Sequence, residues 1–218
     1  TMKPIYLNEG VIKPITEFEE FSDIINVFTE PPYGEPLTLE DKQEEFAGYV
    51  NHGLALGYYS HEGEIMGYIG LMDEVEDEHK KYFNKNIDFL KPLYVYGVAT
   101  KSKFRGHGIA TVLIDLINSY AASNDIDFVY CRINHKDSMS EGIFRKHGYT
   151  DLYQNGEVVF QDISDQEWRT SDKTDPEGNL KRFLLTPITK KGEAFLTLTG
   201  SMADKGSQME EEKVLVLK

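Results

Sequence analysis

The sequence predicts one mixed α/β domain with a buried core, and three observations support this prediction. Segments with strand-like and helix-like patterns alternate along residues 11–188. Hydrophobic residues make up 40% of the 218 residues and charged residues 28%, which is the balance of a globular protein. No run of about 18 apolar residues occurs, so we expect no segment that crosses a membrane.

The first predicted elements are a short strand and a helix. Residues 11–15 are largely apolar, and Pro14 among them favours the edge or the end of a strand. Thr16 and Glu19 have the spacing of a capping box, in which two side chains bond to backbone amides at the start of a helix. The apolar residues that follow recur at helical spacing: Phe18, Phe21, Ile24, Ile25 and Phe28.

A second helix and a β-hairpin are predicted next. Thr38 and Asp41 form another candidate cap, ahead of a helix that extends to about residue 51. Residues 54–60 and 65–72 are strand-like, and the short turn between them contains a glycine, which predicts a hairpin. Five of the six side chains at 73–78 are acidic, so this stretch is expected to be a solvated loop or the end of a helix.

The strongest strand pattern covers residues 93–99. Gly97 within it indicates a bulge or a close backbone approach. Apolar residues between 109 and 120 recur every three or four positions, which predicts a helix that buries one face. The remaining predicted elements are a strand at 128–133, a helix at 140–147, and strands at 158–163 and 182–188 separated by a polar insertion at 172–179.

Residues 189–218 are predicted to extend a domain that covers residues 1–188. Within this extension, 194–199 and 214–217 could each form a strand, and the segment 200–212 between them is polar. The extension could therefore add strands to the sheet or contact a second copy of the chain in a homodimer.

Charge and composition argue against several classes of function. A net charge of −14 opposes binding to nucleic-acid phosphates and suits a cationic substrate, although it would equally serve to keep the protein soluble. The single cysteine, Cys131, excludes an internal disulfide, and residues 1–5 lack the apolar core of a signal peptide, so we expect a cytoplasmic protein. Six scattered histidines without ligand spacing give no support to a catalytic metal.

The chemistry is expected to centre on the loop before the helix at 109–120. Gly106 and Gly108 allow a tight turn and leave room for a ligand, and the free amides of the helix start suit a phosphate. Four basic side chains lie nearby: Lys101, Lys103, Arg105 and His107. The alternative is a solvated basic loop. Thr111 breaks the Rossmann glycine pattern, and no Lys-Ser or Lys-Thr follows the glycines as in a P-loop.

Residues 98–110 resemble motif A of the GCN5-related N-acetyltransferase (GNAT) superfamily, whose Arg/Gln-x-x-Gly-x-Gly/Ala pattern is matched by Arg105, Gly108 and Ala110. Residues 143–149 resemble motif B of the same superfamily, which usually ends Tyr-x-Lys-x-Gly-Phe. The order of strands and helices from about residue 11 to 188 is also that of the superfamily, so the resemblance covers most of the chain and leaves out residues 189–218. It implies an α/β (α+β) three-layer fold, with a central mixed, mostly antiparallel sheet and helices on both faces.

The resemblance also implies acetyl-CoA as co-substrate and a set of residues that bind it. Val98, Ala99 and Thr100 would offer backbone groups to the pantetheine arm. Asn134 is the candidate for the motif B asparagine, although the matching position is Asp137. Backbone amides along the glycine loop would hold the pyrophosphate: Arg105, Gly106, His107, Gly108, Ile109, Ala110 and Thr111. The alternative is that Val98 is an ordinary core residue and Ala110 an ordinary packing residue.

In GNAT chemistry an amine attacks the thioester directly, and a motif B tyrosine usually protonates the thiolate that leaves. Here that position is Phe144, which cannot donate a proton. Ser140 or Tyr149 could replace it, or the thiolate could leave unprotonated. For Tyr149 the alternative is core packing, and Cys131 is interpreted as a core residue instead of an acyl-carrying nucleophile.

The general base is open as well. Some GNAT members carry a carboxylate on the central strand, and its place in this chain is taken by Tyr94. Tyr94 and Tyr96 are expected on the same side of that strand, where they could hold a water, line the acceptor pocket or simply pack. Glu74 and Glu76 could also reach the mouth of the pocket.

Two hypotheses result. The first is an N-acetyltransferase that transfers an acetyl group from acetyl-CoA to an amine of a small molecule or peptide. The second is a non-catalytic module that binds or senses acyl-CoA, motivated by Phe144 and the unexplained extension. The sequence does not identify the acceptor.

Overall fold

A central sheet with helices on both faces forms the structure, a computed structural model that describes residues 2–31, 33–83, 86–136, 138–164 and 176–203. Six helices and three short 3-10 turns (Asn26–Thr29, Ser102–Phe104 and Pro176–Asn179) accompany the strands in these ranges. In chain order the elements are β1 Ile5–Leu7, β2 Gly10–Pro14, α1 Phe18–Ile25, α2 Leu39–His52, β3 Gly53–Tyr59, β4 Ile65–Met72, α3 Asp77–Lys80, β5 Pro92–Thr100, α4 Ile109–Ser123, β6 Phe128–Asn134, α5 Glu141–Lys146, β7 Thr150–Asp151, β8 Tyr153–Gln154, β9 Glu157–Val158, β10 Phe160–Asp162, β11 Leu180–Pro187 and α6 Lys190–Leu198.

Among the described residues, the main sheet has nine strands. Eight of them lie in the order β1-β2-β3-β4-β5-β6-β11-β10, and β7 pairs with β11. The pair formed by β5 and β6 is parallel, and the other neighbours in this sheet are antiparallel. The predicted mixed, mostly antiparallel sheet is therefore confirmed.

Strand β4 explains why both faces of the sheet carry helices. Successive side chains of a strand point to opposite faces, and in β4 Ile69 packs in a cluster with α4 and α5 while Tyr68 packs in a cluster with α1 and α2. Seven of its eight residues are buried, which accounts for its continuous apolar sequence. The predicted three-layer arrangement is confirmed.

The two predicted capping boxes had opposite outcomes. Thr38 and Asp41 bond to each other's backbone amides at 2.9 and 3.1 Å, which confirms the second box. The first is wrong: the N-cap of α1 is Glu17, and its side chain makes no capping bond. Because the helix starts at Phe18, Thr16 lies one residue too early to act as the cap.

The predicted hairpin at 54–72 is confirmed as β3 and β4, with Gly63 in the left-handed conformation at the turn (φ 86°). The single strand predicted at 158–163 is wrong. It is split into β9 and β10 at Val159, whose amide donates to Leu152 O instead of continuing a ladder. Part of the predicted insertion, 172–175, lies outside the described residues.

The extension after residue 188 begins with a helix, so the strand predicted at 194–199 is wrong. Thr189 caps α6 by accepting a hydrogen bond from the amide of Gly192 at 3.0 Å. The apolar residues do not alternate between inside and outside as in a strand, because Leu196 is buried whereas Leu198 is 86% exposed. The predicted strand at 214–217 and most of the polar segment 200–212 lie outside the described residues.

No helix in the described ranges is both long enough and apolar enough to cross a bilayer.

Candidate active site

A cleft opens where β5 and β6 separate. The two strands pair in parallel from Pro92 with Phe128 to Val95 with Cys131, and no pair follows. Beyond this point β5 continues to Thr100 and pairs with β4 on its other side. A cavity of about 390 Å³ lies in the gap, lined by the continuations of both strands.

A β-bulge in β5 marks the point of separation. Gly70 of β4 pairs with Gly97, whereas its neighbour Leu71 pairs with Val95, so Tyr96 is the extra residue. The bulge predicted from Gly97 is confirmed, and the close approach at Gly97 is made by a side chain: a Cβ there would collide with the hydroxyl of Tyr68. The bulge turns Tyr96 into the cavity.

The ladder between β4 and β5 fixes which backbone groups face the gap. The amide of Lys101 donates to Met66 O at 2.9 Å, so this position bonds toward β4. Backbone groups in an antiparallel ladder alternate between bonding to the neighbouring strand and pointing away from it. It follows that Thr100 and Val98 direct their amide and carbonyl groups away from β4 and into the gap.

The glycine loop and the start of α4 lie beside the end of β5. Gly106 and Gly108 have positive φ of 80° and 75°, and open space surrounds both α-carbons. The first i to i−4 bond of the helix runs from Val112 to Gly108, so the amides from Ile109 to Thr111 have no partner within the helix. Such a set of free amides at a helix start favours an anion.

The basic side chains near this loop are partly neutralised. Lys101 Nζ lies 2.6 Å from Asp23 Oδ2, and Lys103 Nζ lies 2.5 Å from Glu64 Oε1. Arg105 is half-buried and His107 is exposed. Backbone amides, more than cationic side chains, therefore carry the capacity of this loop to bind an anion.

The segment after β6 brings some predicted residues to the cavity and keeps another away from it. Asn134, Ser140 and Phe144 line the cavity, and Asn134 Oδ1 is buried without a hydrogen-bond partner among the described residues. Tyr149 is buried behind Phe144 at a ring distance of 5.0 Å and donates to Asn118 Oδ1 at 3.2 Å. Asp137 lies outside the described residues.

Comparison with protein families gives a match to the model described as "Acetyltransferase (GNAT) family" over residues 18–149. This match covers more than half of the 218 residues, and it includes the bulged strand, the glycine loop and α5. The chain belongs to the GNAT family. Comparison with curated protein sequences gives no match.

Solved GNAT structures share the fold. Naa20 of Chaetomium thermophilum, crystallised with a bisubstrate analogue, is 13% identical with a TM-score of 0.63, covering 89% of this chain and 92% of that one. Ard1 of Thermoplasma volcanium is 10% identical with a TM-score of 0.58, covering 84% and 99%. The ribosomal-protein-S18-alanine N-acetyltransferase of Escherichia coli is 9% identical with a TM-score of 0.56, covering 89% and 96%. At these identities the likeness establishes the fold alone.

Tyr94 has a fixed role in the packing of this GNAT chain. Its ring stacks on that of Tyr130 at 4.4 Å, and its hydroxyl accepts a hydrogen bond from Arg132 Nε at 3.1 Å. Arg132 also donates to Gln161 Oε1 at 3.0 Å. Burial raises the pKa of Tyr94 to about 12, partly offset by Arg132, so this hydroxyl stays protonated at neutral pH.

A buried histidine lies beside this tyrosine pair, and sequence reasoning missed it. His79 Nδ1 is 3.0 Å from the hydroxyl of Tyr130, which also accepts from the amide of Glu76. Burial, and then the charge of Arg132, lowers the pKa of His79 to about 3, so the imidazole is neutral. No sequence pattern pointed to His79, because its partners lie on distant strands.

One group of side chains could hold a divalent cation. Glu76, Glu78 and His79 each offer a ligand atom, and these atoms lie within 4.8 Å of one another. The guanidinium of Arg132 is close enough to lower the pKa of His79, so its positive charge would also repel a metal ion bound there. Glu74, predicted alongside Glu76, is exposed and does not line the cavity.

The cavity also receives acidic and aromatic side chains from the segment before α2 and from α2 itself. Glu35 and Glu45 line it together with Phe28, Tyr33 and Tyr68. None of these was predicted as a site residue. Their signal in the sequence is weak, because they come from β4, from α2 and from the segment before α2, all of which lie outside the two motifs.

Proposed function

We propose that the protein transfers an acetyl group from acetyl-CoA to an amine. The observation that supports this most is that the gap between β5 and β6 and the free amides of α4 lie at the same end of one strand. The gap has unpaired backbone groups that could bond to an extended pantetheine arm as an added strand would. The amides from Gly106 to Thr111 would bind the pyrophosphate.

The acyl carbonyl would be polarised by the backbone of β5. The amide of Val98 faces the gap just past the bulge, and a fixed backbone N–H stabilises the oxyanion that forms when an amine attacks a thioester. Ala99 bonds toward β4 by the same alternation, so Val98 and Thr100 are the residues whose backbone groups would meet the pantetheine arm. Asn134 Oδ1, which is buried and has no hydrogen-bond partner among the described residues, would accept a hydrogen bond from an amide of that arm.

Ser140 is the proposed acid for the thiolate that leaves. It lines the cavity next to Phe144, while the hydroxyl of Tyr149 is held by Asn118 and that of Tyr94 by Arg132. A thiol has a pKa of about 8–9, so the thiolate is a tolerable leaving group and needs only modest assistance from a hydroxyl. Ser140 would therefore assist the departure of the thiolate, and water would resupply its proton.

A second candidate function is binding of acyl-CoA without turnover, and one observation favours it. Phe144 lies in the cavity where the GNAT pattern usually has a tyrosine, so the usual proton donor is missing. In that case acetyl-CoA would bind but no amine would release its thiol.

Two measurements on the full chain separate these functions. Calorimetric titration with acetyl-CoA tests binding, and release of the CoA thiol in the presence of a panel of primary amines tests transfer, with mass spectrometry of the acetylated product. Binding with amine-dependent thiol release is the expected result. Binding with no thiol release for any amine would favour the second function, and no binding at millimolar acetyl-CoA would contradict both.

A further inference from the structure

The end of the cavity nearest α2 has acidic and aromatic walls. We name it the acidic pocket and define it by Glu35, Glu45, Tyr33, Tyr68 and Tyr96, all of which line the cavity. Tyr96, the extra residue of the bulge, connects it to the gap between β5 and β6. The pocket therefore lies next to the place where the acetyl group is proposed to bind.

No positively charged side chain of the described residues acts on the carboxyl group of Glu45. It is half-buried on α2, and no described side chain forms an ion pair or hydrogen bond with it. Burial, and then the negative charge of Glu35, raises its pKa to about 7. The titratable groups that face it are Glu35 before α2, Tyr49 on its own helix, Tyr68 on β4 and Tyr96 on β5. A bound cation would relieve this repulsion.

The hydroxyl of Tyr68 is a second, independent sign of a ligand. Tyr68 is fully buried, yet its hydroxyl has no hydrogen-bond partner among the described residues. The hydroxyl groups of Tyr68 and Tyr49 lie near each other, but their geometry does not meet the criteria of a hydrogen bond. Buried polar groups are nearly always paired, so an unpaired one that lines a cavity indicates a missing partner. A hydroxyl oxygen can accept a hydrogen bond from an ammonium group.

Glu76 and Glu78, on the other wall of the cavity, differ from Glu45 in this respect. The positive charge of Arg132 acts on Glu76, and the side chain of Glu78 is 59% exposed to solvent. A cationic group would therefore be drawn to Glu45 first. The aromatic rings of Tyr33 and Tyr96 add faces against which an alkyl chain or a cation can pack.

We propose that the acidic pocket binds the acceptor as an alkylammonium ion, and that Glu45 accepts the proton that must leave before the nitrogen can attack. This inference rests on the proposed function. The substrate class is an aliphatic primary amine without a nearby carboxylate. A diamine belongs to this class and brings a second positive charge to the acidic walls of the pocket.

The ammonium group gives one proton to the Glu45 carboxylate, which passes it to water, and the neutral nitrogen forms a bond to the thioester carbon. The carbon–sulfur bond breaks and the electron pair leaves with sulfur. The new amide nitrogen loses its second proton to water, and the thiolate takes up one proton. One ammonium ion and one acetyl thioester thus give one amide, one thiol and one proton.

The test compares Glu45→Gln with Glu44→Gln, a matched control because Glu44 is the neighbouring carboxylate on α2 and is exposed. Binding of 1,4-diaminobutane to the CoA-bound protein is measured by calorimetry at neutral pH. We expect Glu45→Gln to weaken this binding at least tenfold and Glu44→Gln to leave it within twofold. Equal binding to wild type and Glu45→Gln, or no binding to wild type, would overturn the inference, whether or not the protein turns over amines.

The proton transfer is tested by kinetics with two amines. For 1,4-diaminobutane, kcat/KM should rise about tenfold per pH unit up to about pH 7 in wild type, and Glu45→Gln should lower it by a factor on the order of a hundred and abolish that rise. For aniline, which is uncharged at neutral pH, the same variant should change kcat/KM only a few-fold. Equal losses with both amines would refute the role of Glu45 as base. Equal kcat/KM values for glycine and 1,4-diaminobutane would refute the proposed substrate class. If acetyl-CoA binds but no amine causes release of the CoA thiol, the proposed function is refuted, and this proton transfer is refuted with it.

Discussion

The hydroxyl of Tyr68 occupies the space that a side chain at Gly97 would need, next to the bulge of β5. The clash is confined to this oxygen, because the nearest ring carbon would remain 3.3 Å from the new Cβ. Gly97 has no positive φ, so the cost of a larger residue is steric and not conformational. A small residue at 97 is therefore required by the tyrosine of the neighbouring strand.

This relationship predicts a partial rescue. Gly97→Ala should lower the free energy of unfolding by about 1–3 kcal/mol, because it overpacks the core. Adding Tyr68→Phe removes the clashing oxygen and should recover part of that loss, which urea denaturation of the two single variants and the double variant will measure.

A second glycine–tyrosine pair, Gly70 on β4 and Tyr49 on α2, serves as the control. A Cβ at Gly70 would meet ring carbons of Tyr49 as well as its hydroxyl, so Tyr49→Phe should not rescue Gly70→Ala. Strictly additive free energies for Gly97 and Tyr68 would contradict the packing described for the bulge.

Substitution of Gly108 tests the anion site at the start of α4. Gly108→Val should reduce the affinity for CoA at least about tenfold, because a β-branched side chain at positive φ distorts the loop and fills the open space before the free amides. Gly156→Val is the control: Gly156 has the same backbone region (φ 79°) and open surroundings, but it lies in the turn between β8 and β9. Calorimetry should find that Gly156→Val binds CoA with an affinity within twofold of wild type. An equal loss of affinity in both variants would show that backbone strain, and not the anion site at the start of α4, causes the loss in Gly108→Val.

Two hydroxyl variants separate the candidates for the acid. Ser140→Ala should lower kcat by a factor on the order of ten to a hundred, because its hydroxyl lines the cavity. Tyr149→Phe should mainly cost stability, about 1 kcal/mol, because it removes the hydrogen bond to Asn118 inside the core. Steady-state kinetics and thermal unfolding of both variants measure these effects. A large loss of kcat in Tyr149→Phe, with a loss of stability alone in Ser140→Ala, would contradict this assignment.

Glu45 should make stability depend on pH. The folded protein holds the carboxyl proton up to about pH 7, whereas the unfolded chain releases it near the ordinary pKa of 4.5. Between these values the folded state binds more protons, so the free energy of unfolding falls as the pH rises and remains lower above pH 7. Glu45→Gln removes this loss and should be the more stable protein at pH 8, by up to about 3 kcal/mol.

The difference between wild type and Glu45→Gln should vanish near pH 4, where both states of wild type are protonated. Glu44→Gln, exposed on the same helix, should follow the wild-type curve throughout. Parallel stability curves for wild type and Glu45→Gln between pH 4 and pH 8 would show that Glu45 is not destabilised by its surroundings.

Local patterns predicted most of the fold but failed where tertiary contacts decide. The strand at 93–99 and the helix at 109–120 follow from periodicity, and the Thr38 cap from spacing, because each depends on residues close in sequence. The failure at 194–199 has a different origin. The apolar residues alternate there as in a strand, but the segment forms the helix α6. Leu196 is buried whereas Leu198 faces solvent, although both would lie on the same face of a strand.

The same contrast between local pattern and tertiary contact applies to the residues of the candidate site. The glycine loop is contiguous, so Gly106 and Gly108 could be singled out from sequence. Glu45, Tyr68 and His79 could not, because their significance depends on burial and on neighbours from other strands. The side chain that holds the hydroxyl of Tyr149 was equally invisible: Asn118 lies 31 residues away in sequence, on α4.

Hydrogen exchange of individual backbone amides, followed by NMR with and without CoA, tests the central claim most directly. If CoA lies along β5 in the gap and its pyrophosphate at the start of α4, exchange at Val98, Thr100 and residues 109–111 should slow markedly on addition of CoA, while amides of β8 and β9 stay unchanged. Unaltered exchange at these five amides in the presence of saturating CoA would contradict the assignment of the site.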